Sequence, residues 1–376
     1  MLSDQSRQKD FPSLGRMTYL NTAAEGIAPL AIGEALNRYF TDKQQGMAGR
    51  DAHFATRDSA LRLVGEMYGL SADEVNICSC SSEAYNLAAM ALRLKEGDEV
   101  VINDLDFPAG ATPWLQAGCP ARAKVWRSRA GALHVEDLIP LLGPKTRMLT
   151  VSYVSFFNGF TLNLPRVAEA LRKHSPALLA VDVTQALGRV PLNLRDADLI
   201  VSSTHKWILA SHGGGLVGIP KRAESQLTVP AGGWFNLKNA FDADRFERAV
   251  SKPGAASFGV GMPNFPAIYP IEAALKYIRA AGVEQIDRAI RPIVNHCLDE
   301  LLKLPVEVIT PNDKQAIAGI LSFKHPSMDK ISQYLMSKNV HVMSQAGRMR
   351  ISIHGYNTAA DVDRLLAVLK EALSHV

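Results

Sequence analysis

The chain has 376 residues, of which 47% are hydrophobic and 21% charged, which is enough to bury a large core and is typical of one large domain with a smaller one. The net charge of +4 is dispersed and does not indicate a nucleic-acid-binding surface, and the four cysteines lack zinc-like spacing, which predicts neither a metal site nor a disulfide framework. The polar amino terminus has no apolar signal core and no stretch is long enough to span a bilayer, so we expect a cytoplasmic protein without a membrane partner.

The first part of the sequence alternates short apolar stretches with helical patterns. Residues 17–24 predict a short strand followed by small residues, and residues 27–39 predict a helix. The polar residues 46–57 predict an exposed loop, and the helical periodicity begins again over residues 58–68.

Two hydroxyl side chains, Ser81 and Ser82, stand between a predicted strand at residues 74–78 and a predicted helix at residues 84–92. Hydroxyl residues at this position often cap the helix. The same end of a helix also presents free N–H groups and the positive end of its dipole, which favour a phosphate group. From these residues alone, both interpretations stay open.

Further strands are predicted at residues 99–103 and 146–153, and aromatic residues follow both of them. The first strand is followed by the sequence Asp-Leu-Asp-Phe-Pro, which ends in Phe107-Pro108. The flat ring of Phe107 could stack on the ring of a ligand, or it could belong to the core.

A carboxylate, Asp182, stands at the end of the apolar run over residues 178–183. A carboxylate is costly to bury without a cationic partner, and ligands of open α/β sheets bind at the carboxyl ends of strands. Gln185 follows three residues later and can reach the same ligand as a neutral donor. We therefore expect a cationic ligand group at this strand end.

The next apolar strand, residues 199–201, leads into Ser-Ser-Thr-His-Lys-Trp, which contains Lys206. A lysine beside a histidine and hydroxyls after a buried strand loses its proton more easily than a surface lysine, and it could form a Schiff base. An acidic residue for a ring nitrogen and a lysine for an aldehyde are the groups by which proteins use pyridoxal 5′-phosphate. An ordinary αβ unit with a surface lysine is the alternative.

The pattern D-x-x-Q followed by S-x-H-K-W resembles the class V aminotransferase family, which includes cysteine desulfurases, kynureninase and isopenicillin N epimerase-like proteins. The residues that match it are Asp182, Gln185, Ser203, His205, Lys206 and Trp207. A second match, R-x-S-x-x-x-Y-N-T-x-x-x-[IV]-D, begins at Arg350, and the resemblance extends from Tyr19 to about Leu369.

The resemblance implies the fold of the aspartate aminotransferase-like, fold type I enzymes. In that fold a mostly parallel seven-stranded sheet forms an α/β large domain, beside a smaller α+β carboxy-terminal domain. We expect residues 1–30 to pack with the small domain, residues 31–265 to form the cofactor-binding domain, and residues 266–376 to form the small domain. The family also implies a homodimer.

The resemblance assigns a role to ten residues. It implies Lys206, His205 and Asp182 as catalytic residues and Arg350 as the ligand of the substrate carboxylate. The residues expected to bind pyridoxal 5′-phosphate are Ser81, Ser82, Phe107, Asn158, Asp182, Gln185, Ser203, His205 and Lys206. Asn158 is included as a substitute for a family asparagine, because Phe156 stands where that asparagine is expected.

Two departures from the family pattern bear on the reaction. Met262 stands where the family threonine reaches the phosphate of the neighbouring subunit's cofactor. The segment before Arg350 lacks the nucleophilic cysteine of a desulfurase, so a true cysteine desulfurase is not expected. We predict transamination of an α-amino acid, with C–S or C–C β-cleavage and epimerisation as alternatives. A non-catalytic binding protein with the same fold is a further alternative. The presence of all five of the following motif residues argues against it: Asp182, Gln185, His205, Lys206 and Arg350.

Overall fold

The computed structural model describes all 376 residues. Its helices are α1 (Asp4–Asp10), α2 (Leu30–Gln44), α3 (Arg50–Tyr68), α4 (Ser81–Leu92), α5 (Pro108–Ala111), α6 (Val135–Leu138), α7 (Leu164–His174), α8 (Phe265–Ala281), α9 (Val283–Leu301), α10 (Met328–Ser337) and α11 (Ala359–Ser374). Its strands are β1 (Thr18–Tyr19), β2 (Val75–Cys78), β3 (Glu99–Asn103), β4 (Arg122–Trp126), β5 (Thr146–Ser152), β6 (Leu178–Asp182), β7 (Leu199–Ser203), β8 (Gly215–Gly218), β9 (Glu307–Val308), β10 (Ile320–Lys324), β11 (Val340–His341), β12 (Met343–Gln345) and β13 (Arg348–Ser352).

The largest sheet has seven strands in the order β2-β8-β7-β6-β5-β3-β4. Strand β8 runs antiparallel to both of its neighbours, and the other pairs are parallel. All five residues of β6 are buried, as expected for a central strand covered on both faces. This is the predicted mostly parallel sheet, and it brings the carboxyl ends of β5, β6 and β7 to one edge.

A second sheet, antiparallel in the order β12-β13-β10-β9, packs with α9, α10 and α11 in the carboxy-terminal part of the chain. Strand β1 pairs in parallel with β11, so the amino-terminal segment joins this part of the molecule. The predicted division into residues 1–30, 31–265 and 266–376 stays a prediction.

The expected loop at residues 46–57 is wrong from Arg50 onward, because helix α3 begins there. Its buried face includes His53, whose Nδ1 lies 3.0 Å from the hydroxyl of Tyr269 and whose ring stacks on Phe265. A polar side chain on the buried face hid the helical pattern in the sequence.

None of the helices combines the length and the apolar character that a membrane crossing requires.

Candidate active site

The candidate site lies at the carboxyl edge of the seven-stranded sheet. Ser152, the last residue of β5, pairs in register with Asp182, the last residue of β6, and β7 ends beside them at Ser203. A small cavity at this edge is lined by Ser81, Phe107, Ser152, Phe156, Asp182, Thr184, Gln185, Ser203 and Lys206. Two larger clefts elsewhere on the molecule contain no buried charged side chain. The chemistry of the smaller cavity therefore makes it the candidate.

Asp182 is 8% exposed, and its Oδ1 accepts a hydrogen bond of 2.8 Å from the backbone N–H of Thr184. Burial raises the pKa of Asp182, while the hydrogen bonds from Thr184 and the charge of Lys206 lower it. A cationic group in the cavity would favour the ionised form of this carboxyl group.

Lys206 is the cationic group that faces this carboxyl group. Its side chain is buried, and Nζ lies 5.0 Å from the centroid of the Phe107 ring. Burial lowers the pKa of Lys206 to about 8, with Arg350 acting in the same direction and Asp182 in the opposite one. About a tenth of the amine is therefore uncharged at pH 7, much more than for a lysine of ordinary pKa, and the uncharged amine is the form that attacks a carbonyl carbon.

The amino-terminal segment covers the loop that carries Lys206. The N–H of Gly26 donates to the carbonyl of His205 at 2.8 Å, and a Cβ at Gly26 would lie 2.0 Å from the carbonyl oxygen of Lys206. Only glycine allows the two backbones to approach this closely.

Gln185 is oriented by the residue after the lysine. The indole Nε1 of Trp207 donates to Gln185 Oε1 at 2.6 Å, and Gln185 Nε2 donates to the carbonyl of Ala23 at 3.1 Å. Because the indole N–H can only donate, the amide oxygen of Gln185 must face Trp207. The second N–H of this amide remains available to the cavity that Gln185 lines.

The amino terminus of α4 supplies neutral donors at one end of the cavity. Cys80, rather than Ser81 or Ser82, is the cap of this helix, and its Sγ accepts from the N–H of Glu83. The hydroxyl of Ser81 is therefore free to contact Ser203 Oγ, at 3.0 Å. Ser81 is buried in the cavity wall, whereas the side chain of Ser82 is exposed. This end can hold a phosphate group through hydroxyls, backbone N–H groups and the helix dipole.

Arg350, on β13, does not line the cavity itself but contacts Phe156, which does. Its Nη1 donates to the carbonyl of Phe156 at 3.1 Å, while its Nε is buried without a partner. Burial lowers the pKa of Arg350 to about 9, and the neighbouring Arg348 adds to this effect. An unsatisfied buried guanidinium would gain from an anionic ligand such as a carboxylate.

Four predicted residues lie outside the cavity wall: Arg350, described above, and Asn158, His205 and Ser82. The Nδ2 of Asn158 donates to the carbonyls of Gly131 and Ile309, so the prediction that Asn158 substitutes for the family asparagine does not fit the structure. His205 stacks on His212 with ring centroids 4.5 Å apart. The side chain of Ser82 is exposed, as described above.

Sequence reasoning missed four residues of the site, namely Ser152, Thr184, Phe156 and Asp106. The first three line the cavity, and Asp106 Oδ1 accepts a hydrogen bond of 2.7 Å from the N–H of Ser152. Burial raises the pKa of Asp106 to about 7, and the nearby charge of Asp182 contributes to the rise. The sequence contained a signal for Asp106, because this carboxylate directly precedes the predicted stacking residue Phe107.

Comparisons with known sequences agree on one family. A family model described as aminotransferase class-V matches residues 18–365. An uncharacterized aminotransferase of Bacillus subtilis (strain 168) is 25% identical over 370 residues, which are 96% of this chain and 95% of that protein. A probable cysteine desulfurase of Pyrococcus abyssi is 23% identical over 392 residues, or 97% of this chain and 96% of that protein.

Solved structures agree on the fold. An apo cysteine desulfurase from Thermococcus onnurineus NA1 superposes with a TM-score of 0.91 at 20% identity, covering 100% of this chain and 99% of that one. A complex of the cystine C–S lyase C-DES with its product cysteine persulfide superposes with a TM-score of 0.88 at 22% identity, covering 96% and 98%. The predicted fold class is confirmed.

Proposed function

Because the chain belongs to the class V aminotransferase family, whose cofactor is pyridoxal 5′-phosphate, we propose that it transaminates an α-amino acid. The predicted family and the predicted cofactor are thereby confirmed. The observation that supports the reaction is the position of Lys206 in the cavity wall, with Arg350 close enough to act on its pKa and in contact with Phe156 of the same wall.

The residues of the cavity fit this cofactor. Asp182 is a buried carboxylate suited to a protonated ring nitrogen, and Lys206 is a buried amine suited to an aldehyde. Phe107 offers a ring face, Gln185 a free amide N–H, and Ser81 with Ser203 a pair of hydroxyls beside the helix terminus. When bound, the cofactor supplies a carbonyl carbon for amines and a ring that withdraws electrons from the α-carbon of the substrate.

Two residues would act on the substrate. Arg350 would hold the substrate carboxylate, since its Nε lacks a partner and a guanidinium can form two parallel hydrogen bonds. Lys206 Nζ, a buried amine in the cavity wall, would take the proton from the substrate α-carbon and hold it for return. Transamination requires these two functions and a keto-acid acceptor that binds through the same arginine.

We propose further that the protein is not a cysteine desulfurase, although several relatives carry that name. Strands β12 and β13 are joined by Ala346 and Gly347, both with positive φ, which is the tight two-residue turn of a β-hairpin. A hairpin of this kind offers no mobile loop, and none of its residues is a cysteine. The four cysteines are all elsewhere in the chain, at Cys78, Cys80, Cys119 and Cys297.

A β-lyase is the second candidate. Phe156 lines the cavity where the family pattern expects a polar asparagine, which suits a substrate with an apolar or sulfur-containing side chain. Loss of a thiol from such a side chain needs no additional proton donor, because a thiolate is a stable leaving group.

A panel of amino acids, each with and without an α-keto acid, tests these candidates. Transamination predicts a new amino acid only when a keto acid is present, whereas β-cleavage predicts pyruvate and ammonia without one. Sulfide release from cysteine that disappears in a Cys119→Ala variant, or in a Cys80→Ser variant that can still cap α4, would reject the proposal that the protein is not a cysteine desulfurase.

The assignment of Lys206 has its own test. The Lys206→Ala protein should fold but should show no borohydride-reducible link to the cofactor, because no other lysine lines the cavity. Peptide mapping that finds the reduced cofactor on a different lysine would reject the assignment.

We also propose a cytoplasmic homodimer. Phe241 and Phe246 are 79% and 90% exposed, and Met262 is 48% exposed, so this side of the molecule presents apolar surface suited to a second copy. The four cysteines are unpaired, which agrees with a reducing compartment. Light scattering should give twice the chain mass, and an active monomer would reject the dimer.

A further inference from the structure

Trp207, the residue after Lys206, is fixed from two directions. Its indole N–H donates to Gln185, and its backbone carbonyl accepts a hydrogen bond of 2.8 Å from Nε2 of His354. The ring of Trp207 is 1% exposed and meets the ring of His354 edge-on, with centroids 5.3 Å apart. One contact, between His354 and the Trp207 carbonyl, therefore restrains both the lysine backbone and the residue that orients Gln185.

The hydrogen bond determines the form of the His354 side chain. A carbonyl oxygen can only accept, so Nε2 must carry the proton. Burial lowers the pKa of His354 to about 3, and the charge of Arg189 contributes to this effect. The imidazole is therefore neutral at physiological pH, with its single proton directed at Trp207.

The backbone next to His354 is also held rigidly. Arg189, which is fully buried, donates from Nε to the carbonyl of Ile353 at 3.0 Å and from Nη1 to Asp287 at 3.0 Å. A Cβ at Gly319 would lie 2.7 Å from the Trp207 ring and 2.9 Å from both Arg189 Nε and the Ile353 carbonyl oxygen. The close packing leaves His354 little freedom to move away from the lysine loop.

We propose that His354 is a positioning residue that sets the direction of Lys206 through the Trp207 carbonyl. The proposal rests on the proposed function, since it concerns the proton that Lys206 moves. A lysine displaced by about 1 Å from its working geometry would lose on the order of 100-fold in rate. His354 does not contact the cavity, so substrate binding at Arg350 should be little affected.

Two amide substitutions test the proposal with matched chemistry. His354→Gln places an N–H where Nε2 stands and should keep the Trp207 hydrogen bond, whereas the shorter His354→Asn should lose it. We expect His354→Gln to stay within about threefold of the parental kcat, and His354→Asn to lose roughly 10- to 100-fold in kcat with KM nearly unchanged.

Tyr356→Phe is the control for disruption of the segment. Tyr356 is fully buried, packs against His354 and shares a hydrogen bond with Thr22, but it does not reach Trp207. This variant should lower the melting temperature and leave kcat unchanged.

A second readout needs no substrate. The visible circular dichroism of the lysine-bound cofactor reports how the ring is held, and it should weaken in His354→Asn but not in His354→Gln or Tyr356→Phe. It remains measurable even if the proposed reaction is wrong, so the two failures can be told apart. Parental kcat and dichroism in His354→Asn, equal losses in the two amide variants, or an equal loss in Tyr356→Phe would each overturn the proposal.

Discussion

The two groups proposed to bind anions, one in the cavity wall and one beside it, differ in their chemistry. At the α4 end, Ser81 and Ser203 offer neutral hydroxyls beside a helix terminus. At the β13 end, Arg350 is a buried guanidinium with an unsatisfied Nε and a lowered pKa. Lys206 lies between the two ends.

The difference matches the two kinds of ligand that an enzyme of this family must hold. A phosphate that stays through many turnovers can be held by neutral donors that cost little to bury. A substrate that binds and leaves in each turnover benefits from a buried charged group that has no partner in the free protein. Binding of the substrate then gives that group its missing hydrogen bonds. Variants at the charged end should therefore impair substrate processing, whereas variants at the neutral end should weaken cofactor binding.

The largest effect is expected at the charged end. Arg350→Lys keeps a charge but cannot form two parallel hydrogen bonds. We therefore expect kcat/KM to fall, with a loss of about 2 to 4 kcal/mol in transition-state stabilisation. Steady-state kinetics checks the loss, and cofactor content should stay normal. Substrate processing at the parental rate would mean that the carboxylate binds elsewhere or that the substrate has none.

Arg348 supplies the control for this test. It lies two residues before Arg350, but its side chain donates to the carbonyls of Phe156, Phe157 and Gln345 and packs on the two aromatic rings. Arg348→Lys should therefore lower the melting temperature but leave kcat/KM close to the parental value.

The group between the two ends predicts a pH dependence. Capture of the cofactor requires the uncharged amine of Lys206, whose pKa is about 8 in the protein. The rate of cofactor binding to the apo-protein should rise about tenfold per pH unit below pH 8 and level off above it. Stopped-flow absorbance between pH 6 and 10 measures this, and a rate that keeps rising to pH 10 would indicate a lysine with an ordinary pKa.

A smaller effect is expected at the neutral end. Ser81→Ala removes one hydroxyl that would donate to the charged phosphate. This loss should weaken cofactor binding by about 1.5 to 3 kcal/mol without raising the KM of the substrate. Ser82→Ala is the matched control, since its hydroxyl is exposed and its backbone N–H is retained. Equilibrium dialysis of the cofactor compares them, and equal losses in both variants would contradict the assignment.

The smallest effect concerns Met262. Met262→Thr restores the hydroxyl that the family resemblance expects at a neighbouring subunit's phosphate, and a single added hydrogen bond should strengthen cofactor binding by about 0.5 to 1.5 kcal/mol. The gain should appear only in the dimer, so cofactor affinity measured across protein concentrations checks it. A gain that is independent of concentration would show that the contact lies within one subunit.

Much of the central sheet and the residues at its edge could be predicted from the sequence. Strands β6 and β7 are buried on both faces, so their apolar runs are continuous, and the polar residues that end them, Asp182 and Ser203, mark the sheet edge. Lys206 could be predicted from the same pattern, because it stands three residues after the end of β7.

The rest depended on contacts that no local pattern contains. Asn158 was predicted from its position two residues after Phe156, which does not show where its side chain points, and its partner Ile309 is 151 residues away. Asp106 acts through the backbone of Ser152 on a neighbouring strand. The start of α3 depends on the pairing of His53 with Tyr269, 216 residues later.

The contact between Gly26 and the lysine loop also has a consequence for the order in which the chain folds. Residues 18–26 leave the ribosome before their partners exist, because Thr18 pairs with Val340 and Ala23 donates to the hydroxyl of Ser352. Contacts so distant in sequence form late, since the intervening chain must first be ordered. These residues cannot take their final place until β11 and β13 have been synthesised, and the loop that carries Lys206 is covered only when these strands are in place.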